Sequence, residues 1–186
     1  MLQFDMENVH SICYTVSKRP SRSFLKQSYE EVTYGDVHKK GLNADLIEND
    51  LENCCRGEDL CQQCRGNACL IGFAKQCVSD YKKAPKKEVD GGTDGIPTTD
   101  FRVFNEIELE TAIAHILKEC KDCKEDHTED CIINVIRSCY EVGLLGDTHP
   151  YEGSSLQYLM YLKDNFPDKA AYIAEIYTSL PSASEL

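Results

Sequence analysis

The sequence of 186 residues lacks several features that define common classes of protein. It has no stretch of about 18 consecutive apolar residues, which excludes an ordinary transmembrane helix, and we expect no membrane partner. Positive charge is also scarce, because 20 Lys and Arg stand against 32 Asp and Glu, for a net charge of −12. A nucleic-acid-binding protein needs a basic face that displaces counterions from phosphates, so we expect no nucleic acid among the partners.

Motifs for catalysis and for export are missing as well. The sequence contains no glycine-rich phosphate loop, no nucleophile elbow and no His-Glu-x-x-His, which favours a non-enzymatic role. Its first residues lack the basic segment and apolar stretch of a secretory signal, and no Asn-x-Ser/Thr acceptor occurs. A starting Met and an odd number of cysteines favour a reducing compartment, so we expect a cytoplasmic protein.

Cysteine, in contrast, is abundant, with 11 residues that fall mainly into two groups. In each group a Cys-x2-Cys pair precedes a helical pattern that carries two further cysteines eight residues apart. Clustered cysteines in a reducing compartment hold metals more often than they form disulfides. The two groups are therefore the candidate functional sites of the chain.

The C-terminal group contains the more specific metal pattern. Cys120-x2-Cys123-x3-His127-x3-Cys131 places three thiols and one imidazole within 12 residues. Three thiolates and one imidazole suit tetrahedral zinc, so we predict Cys120, Cys123, His127 and Cys131 as its ligands. Cys139 lies about 12 Å beyond Cys131 along a helix and is predicted to be a core residue.

The N-terminal group has more thiols than one zinc ion needs and no histidine in register. Such a set is compatible with a four-thiolate zinc site or with an iron–sulfur cluster, so the cofactor is zinc or an iron–sulfur cluster. The spacing matches neither ferredoxin pattern, and burial or disulfide pairing of some members stays open. The predicted ligands in this group are Cys54, Cys55, Cys61, Cys64 and Cys69.

Three functions are compatible with these patterns. The leading one is a metal-binding protein that uses zinc or an iron–sulfur cluster in a structural or regulatory role and acts on a protein partner. An iron–sulfur protein that transfers electrons or senses redox state is the second. A secreted helical protein with disulfides, which binds a ligand or a partner, is the third. The two groups could also share one site, in which Cys61 and Cys64 join Cys120 and Cys123.

Hydrophobic periodicity predicts a mostly α fold, with a helical bundle in the C-terminal half and a Cys-rich N-terminal half that is α or α+β. Short strands are predicted at 8–16 and 31–34. Residues 82–100 interrupt the periodicity with proline, glycine and lysine, and are predicted to form a linker or a long exposed loop between segments 1–81 and 101–186. Most of the negative charge lies beyond this segment, because residues 100–186 carry 7 basic and 17 acidic side chains.

Six helices are predicted from capping residues and apolar stripes. The third of them contains His115, which we expect to be a packed or surface residue rather than a ligand. The predicted helix starts are, in chain order, Asn43, about Asn67, Thr99 or Asp100, about Glu129, Ser154 or Ser155, and Pro167.

Overall fold

A computed structural model describes residues 42–57, 61, 63–122 and 128–181. Within these ranges the chain is mostly helical and contains no named β-strand, which confirms the predicted fold class and the C-terminal bundle. The strands predicted at 8–16 and 31–34 lie outside the described residues. The helices are α1 (Ala44–Cys54), α2 (Leu70–Lys83), α3 (Glu106–Asp122), α4 (Ile132–Leu145), α5 (Ser155–Asn165) and α6 (Pro167–Ser179).

Local capping signals place three of these helices as predicted. Asn43 accepts a hydrogen bond from the Leu46 N–H at 3.2 Å, and Ser154 accepts one from the Gln157 N–H at 3.3 Å. Pro167 occupies the first turn of α6, where its missing N–H costs no hydrogen bond. Each of these bonds forms within four residues, so the sequence alone determines them.

The start of α3 was predicted wrongly. Asp100 does not cap this helix, because its carboxylate accepts the N–H of Leu70 at 3.0 Å and pairs with Arg102 at 2.7 Å. The helix begins at Glu106, and the side chain of Asn105 accepts the N–H of Ile107 at 3.1 Å. The Asp100 carboxylate, which the local pattern assigns to a helix cap, is thus hydrogen-bonded to a residue 30 positions away in the sequence.

The fourth helix also differs from its prediction. A glycine after the last apolar residues predicts an end at Gly143, but the helix continues to Leu145, and Gly146 is its C-cap with a left-handed φ of +89°. Gly143 instead lies inside α4 at a close approach to α3. A Cβ added there would meet Leu109 and Phe104 at 3.3 Å. The last turn of α4 therefore lies against the first turn of α3, so these two helices are antiparallel.

Helix α3 is at the centre of the packing. It contacts α1, α4, α5 and α6, whereas α2 packs against α1 and α4. A fully buried Leu or Ile side chain stabilises a fold by about 1.5–3 kcal/mol, so the apolar residues of α3 contribute a large part of the core energy. Its almost completely buried side chains are Leu109, Ala112, Ile113, Ala114, Ile116 and Leu117.

The segment between α2 and α3 is exposed over most of its length. Its buried residues are Gly92, in a short 3-10 turn Gly92–Gly95, Ile96 and Phe104. Helices on both sides of it pack against each other, and all described residues belong to one compact unit, Tyr34–Leu186. Its role as a boundary between 1–81 and 101–186 stays a prediction. None of the helices in the described ranges is both long and apolar enough to cross a membrane.

Gly72 provides a test of how the Cys-rich segment packs on α2. A Cβ added at Gly72 would lie 2.1 Å from the carbonyl oxygen of Gly66, a backbone atom of the short turn Gly66–Ala68. We expect Gly72→Ala to lower the free energy of unfolding by about 1–3 kcal/mol, because the overpacked backbone must move. In an unobstructed helix the same change stabilises by up to about 1 kcal/mol.

Urea denaturation measures this difference. Gln76→Ala, on the exposed face of the same helix, is the control and should change stability by less than about 0.5 kcal/mol. A Gly72→Ala variant as stable as the wild type would show that the Gly66 turn does not pack on α2.

Candidate functional site

Two members of the C-terminal ligand group lie at neighbouring helix ends. Cys120 is in the last turns of α3 with 5 % of its surface exposed, and Cys131 directly precedes α4 and is half-buried. Because α3 and α4 are antiparallel, the end of one helix and the start of the other lie at the same end of the pair. Cys123 and His127, the other two predicted ligands, lie outside the described residues.

Backbone hydrogen bonds fix the position of Cys131. The N–H of Ile132 donates to the carbonyl of Lys87 at 2.7 Å, and the N–H of Val89 donates to the carbonyl of Asp130 at 2.9 Å. Glu88 and Cys131 form an isolated antiparallel bridge between these bonds. The segment predicted as a linker or exposed loop therefore holds the start of α4 beside the candidate ligands.

The N-terminal group is spread over several elements. Cys54 is buried in the last turn of α1, Cys55 and Cys64 are exposed, and Cys61 and Cys69 are half-buried. All nine cysteines in the described part of the chain are free thiols. Within those same ranges, no three His, Cys, Asp or Glu side chains form a group that could hold a metal ion. The assignment of these five thiols as ligands stays a prediction.

Arg102 connects two of these thiols. Its guanidinium lies close to Cys61 and Cys69 and forms an ion pair with Asp100. Burial raises the pKa of the Cys69 thiol, although backbone N–H groups at the start of α2 and the nearby Arg102 act in the opposite direction. At Cys69 burial outweighs the cation, so the thiol is favoured over the thiolate that binds metal and reacts with disulfides.

A buried ion pair lies inside α4, among otherwise mostly apolar buried side chains. Arg137 is 3 % exposed and pairs with Glu141, which is completely buried. Glu141 also accepts hydrogen bonds from the Tyr158 hydroxyl and the His149 N–H, the latter at 3.0 Å. The guanidinium packs against the rings of Tyr151 and Tyr158, 4.8 and 4.9 Å from their centroids. Burial raises the pKa of Glu141, and Arg137 opposes that rise.

A cavity of about 450 Å³ opens beside Arg137 and extends to Cys120. This volume lies in the range of about 300–1,000 Å³ that small-molecule sites occupy. The Tyr151 hydroxyl, on the same wall, is hydrogen-bonded to the Cys120 thiol, and burial raises the pKa of this tyrosine. Thr128, Glu129, Ile133, Asn134, Ser138 and His149 also line the cavity.

The sequence analysis missed this cavity and the charges beside it. The available signal was the pair Arg137 and Glu141, four residues apart in an otherwise apolar helix. Helical neighbours of opposite charge are common on exposed faces, so the spacing alone does not reveal burial. Comparisons with protein-family models, with curated proteins and with solved structures find no match to this chain.

Burial of the Arg137–Glu141 pair predicts that removing one member destabilises the fold more than removing both. Arg137→Met leaves Glu141 without its cation, and we expect the free energy of unfolding to fall by about 3–5 kcal/mol at pH 7. Protonation of the carboxyl relieves the uncompensated charge, so this loss should shrink as the pH falls. The double variant Arg137→Met/Glu141→Leu should lose less than the single variant, since both charges are gone.

Urea denaturation at several pH values measures these effects. Lys83→Met breaks an exposed pair with Asp80 and is the matched control, with an expected change below about 1 kcal/mol. Equal losses in Arg137→Met and Lys83→Met would contradict the role of burial.

Proposed function

We propose that this chain is a metal-binding protein that holds zinc through Cys120, Cys123, His127 and Cys131 in a structural or regulatory role. The observation that carries the proposal is the antiparallel packing of α3 and α4, which brings the helix ends bearing Cys120 and Cys131 together. The segment that joins these ends contains the two remaining ligands. Three thiolates and one imidazole are a donor set that tetrahedral zinc accepts.

The surroundings of Cys120 and Cys131 support the same proposal. Both are free thiols, so neither is already used in a disulfide. The Tyr151 hydroxyl is hydrogen-bonded to Cys120, and a donor of this kind stabilises a thiolate ligand and fixes its orientation. On the other side, the Ile132 N–H donates to the Lys87 carbonyl and the Val89 N–H to the Asp130 carbonyl, and these two bonds flank Cys131. Bound zinc would link the end of α3 to the start of α4, and its binding free energy would add to the stability of the fold.

A redox-active or iron–sulfur function of the N-terminal group is the second candidate. The observation that favours it is the position of the Arg102 guanidinium beside two thiols of this group, Cys61 and Cys69. Visible absorbance after anaerobic purification would support a cluster, whereas a colourless protein with stoichiometric zinc would reject it. A reducing, cytoplasmic location keeps these thiols available, and a regulatory protein of this kind acts through a protein partner; both belong to the proposal.

Metal analysis of variants tests the zinc proposal. We expect Cys123→Ser and His127→Asn each to remove one equivalent of zinc per chain and to lower the melting temperature, because folding free energy is lost with the ion. The matched control is Cys61→Ser/Cys64→Ser, which changes the other cysteine group and should leave this equivalent of zinc in place. Unchanged zinc content and melting temperature in Cys123→Ser would reject the site.

Thiol titration in denaturant with a chelator separates metal ligands from disulfides. The proposal requires all 11 cysteines to react under non-reducing conditions. A secreted protein with paired cysteines would leave about one reactive thiol.

A further inference from the structure

The cavity beside Arg137 has a buried floor and a charged mouth. Its wall is built from the first turns of α4, the end of α3, the 3-10 turn before α3 and the loop that follows α4. Among the residues that line it, Ile133, Arg137 and Ser138 are buried, whereas Glu129 and Glu152 are exposed. A concave site between several elements is a common position for a small-molecule ligand.

Ser138 places an unused hydroxyl on the floor. The residue is 2 % exposed and lines the cavity, and its hydroxyl has no hydrogen-bond partner among the described residues. A helical hydroxyl commonly bonds the carbonyl four residues back, as Thr111 does with Ile107 in α3. Buried polar groups are nearly always paired, because an unpaired one costs free energy. The Ser138 hydroxyl therefore points to a ligand that occupies the cavity.

The first turn of α4 provides two more hydrogen-bond donors. This helix has 14 residues and no side-chain cap. The N–H groups of Ile132 and Val135 donate to carbonyls, whereas those of Ile133 and Asn134 have no acceptor in the described part of the chain. Unpaired N–H groups at a helix N-terminus attract the oxygens of a carboxylate or a phosphate. Because both residues line the cavity, the floor is suited to an oxyanion.

Glu129 and Glu152 place two negative charges at the mouth. Neither forms an ion pair within the ranges that the structure describes. Among the described lining residues, Arg137 is the one lysine or arginine, and its charge is balanced by Glu141. The mouth therefore attracts a cation and repels a ligand that has negative charge alone.

We propose that the cavity binds a free amino acid, whose carboxylate meets the donors on the floor and whose ammonium group faces Glu129 and Glu152. A zwitterion satisfies both ends, whereas phosphate lacks the cation and a simple amine lacks the oxyanion. The volume of about 450 Å³ leaves room for a side chain as well. A second carboxylate on the ligand would be repelled at the mouth, so the site disfavours aspartate and glutamate.

Thermal denaturation of the full chain with each common amino acid in turn, at about 10 mM, tests the proposal. A ligand present at about 100 times its Kd should raise the melting temperature by about 5–10 °C, because it binds only the folded chain. We expect the largest rise from an amino acid without a carboxylate side chain. Inorganic phosphate and ethylamine, each of which carries one of the two charged groups, should give smaller rises.

Calorimetric titration with the amino acid that gives the largest rise then locates the site. Ser138→Ala removes a donor from the floor and should weaken binding about tenfold or more, because a hydrogen bond to a charged group is lost. Glu129→Gln/Glu152→Gln removes both charges at the mouth and should weaken binding about threefold or more at low salt. Glu175→Gln changes an exposed carboxylate of α6 outside the cavity and should bind as the wild type does.

Three results would overturn the amino-acid site. They are the absence of any rise in melting temperature, a largest rise with glutamate, aspartate or phosphate, and wild-type affinity in both cavity variants. The double variant changes exposed side chains only, so it keeps the test decisive if Ser138→Ala is unstable. None of these variants changes a predicted zinc ligand, so zinc content measured in the same samples separates a failure of this proposal from a failure of the zinc site.

Discussion

The packing of α3 against four other helices is the constraint on which the rest of the structure depends. Because α3 is enclosed on several sides, its buried side chains meet partners from several different elements. Its first turns meet the end of α4, its middle meets α1 through His115, and its last turns carry Cys120. The positions of both candidate sites thus follow from where along α3 each neighbour crosses.

Buried charged side chains beside α3 are the second feature that determines the fold. The net charge of −12 suggests a solvated acidic surface, yet Asp50, Glu110 and Glu141 are each at most 5 % exposed. Each is satisfied by a named partner from another turn or helix: His115, Lys169 or Arg137. A buried charge that has lost its partner is costly, so the contacts of His115 and Lys169, which join different helices, favour one arrangement of helices over others that would bury similar apolar area.

Sequence reasoning predicted the elements whose signals are local. The caps at Asn43 and Ser154 depend on bonds across three residues, and Pro167 acts through its own ring, so none of them needs the tertiary fold. The start of α3 could not be predicted from local signals, because it depends on the hydrogen bond between Asp100 and Leu70. For the candidate sites, the cysteine spacing predicts that Cys120 and Cys131 belong to one group. The cavity beside Arg137 is formed by residues from several elements, so the spacing of residues along the chain cannot predict it.

The strand-like contact between residues 87–89 and 130–132 has a consequence for the whole Cys-rich surface. The same connecting segment touches Cys131 at one end and continues, at the other, to Asp100 and Arg102, which lie beside Cys61 and Cys69. The segment therefore makes specific contacts near both cysteine groups. One segment of the chain thus supplies backbone or side-chain contacts to both groups, at Cys131 and beside Cys61 and Cys69.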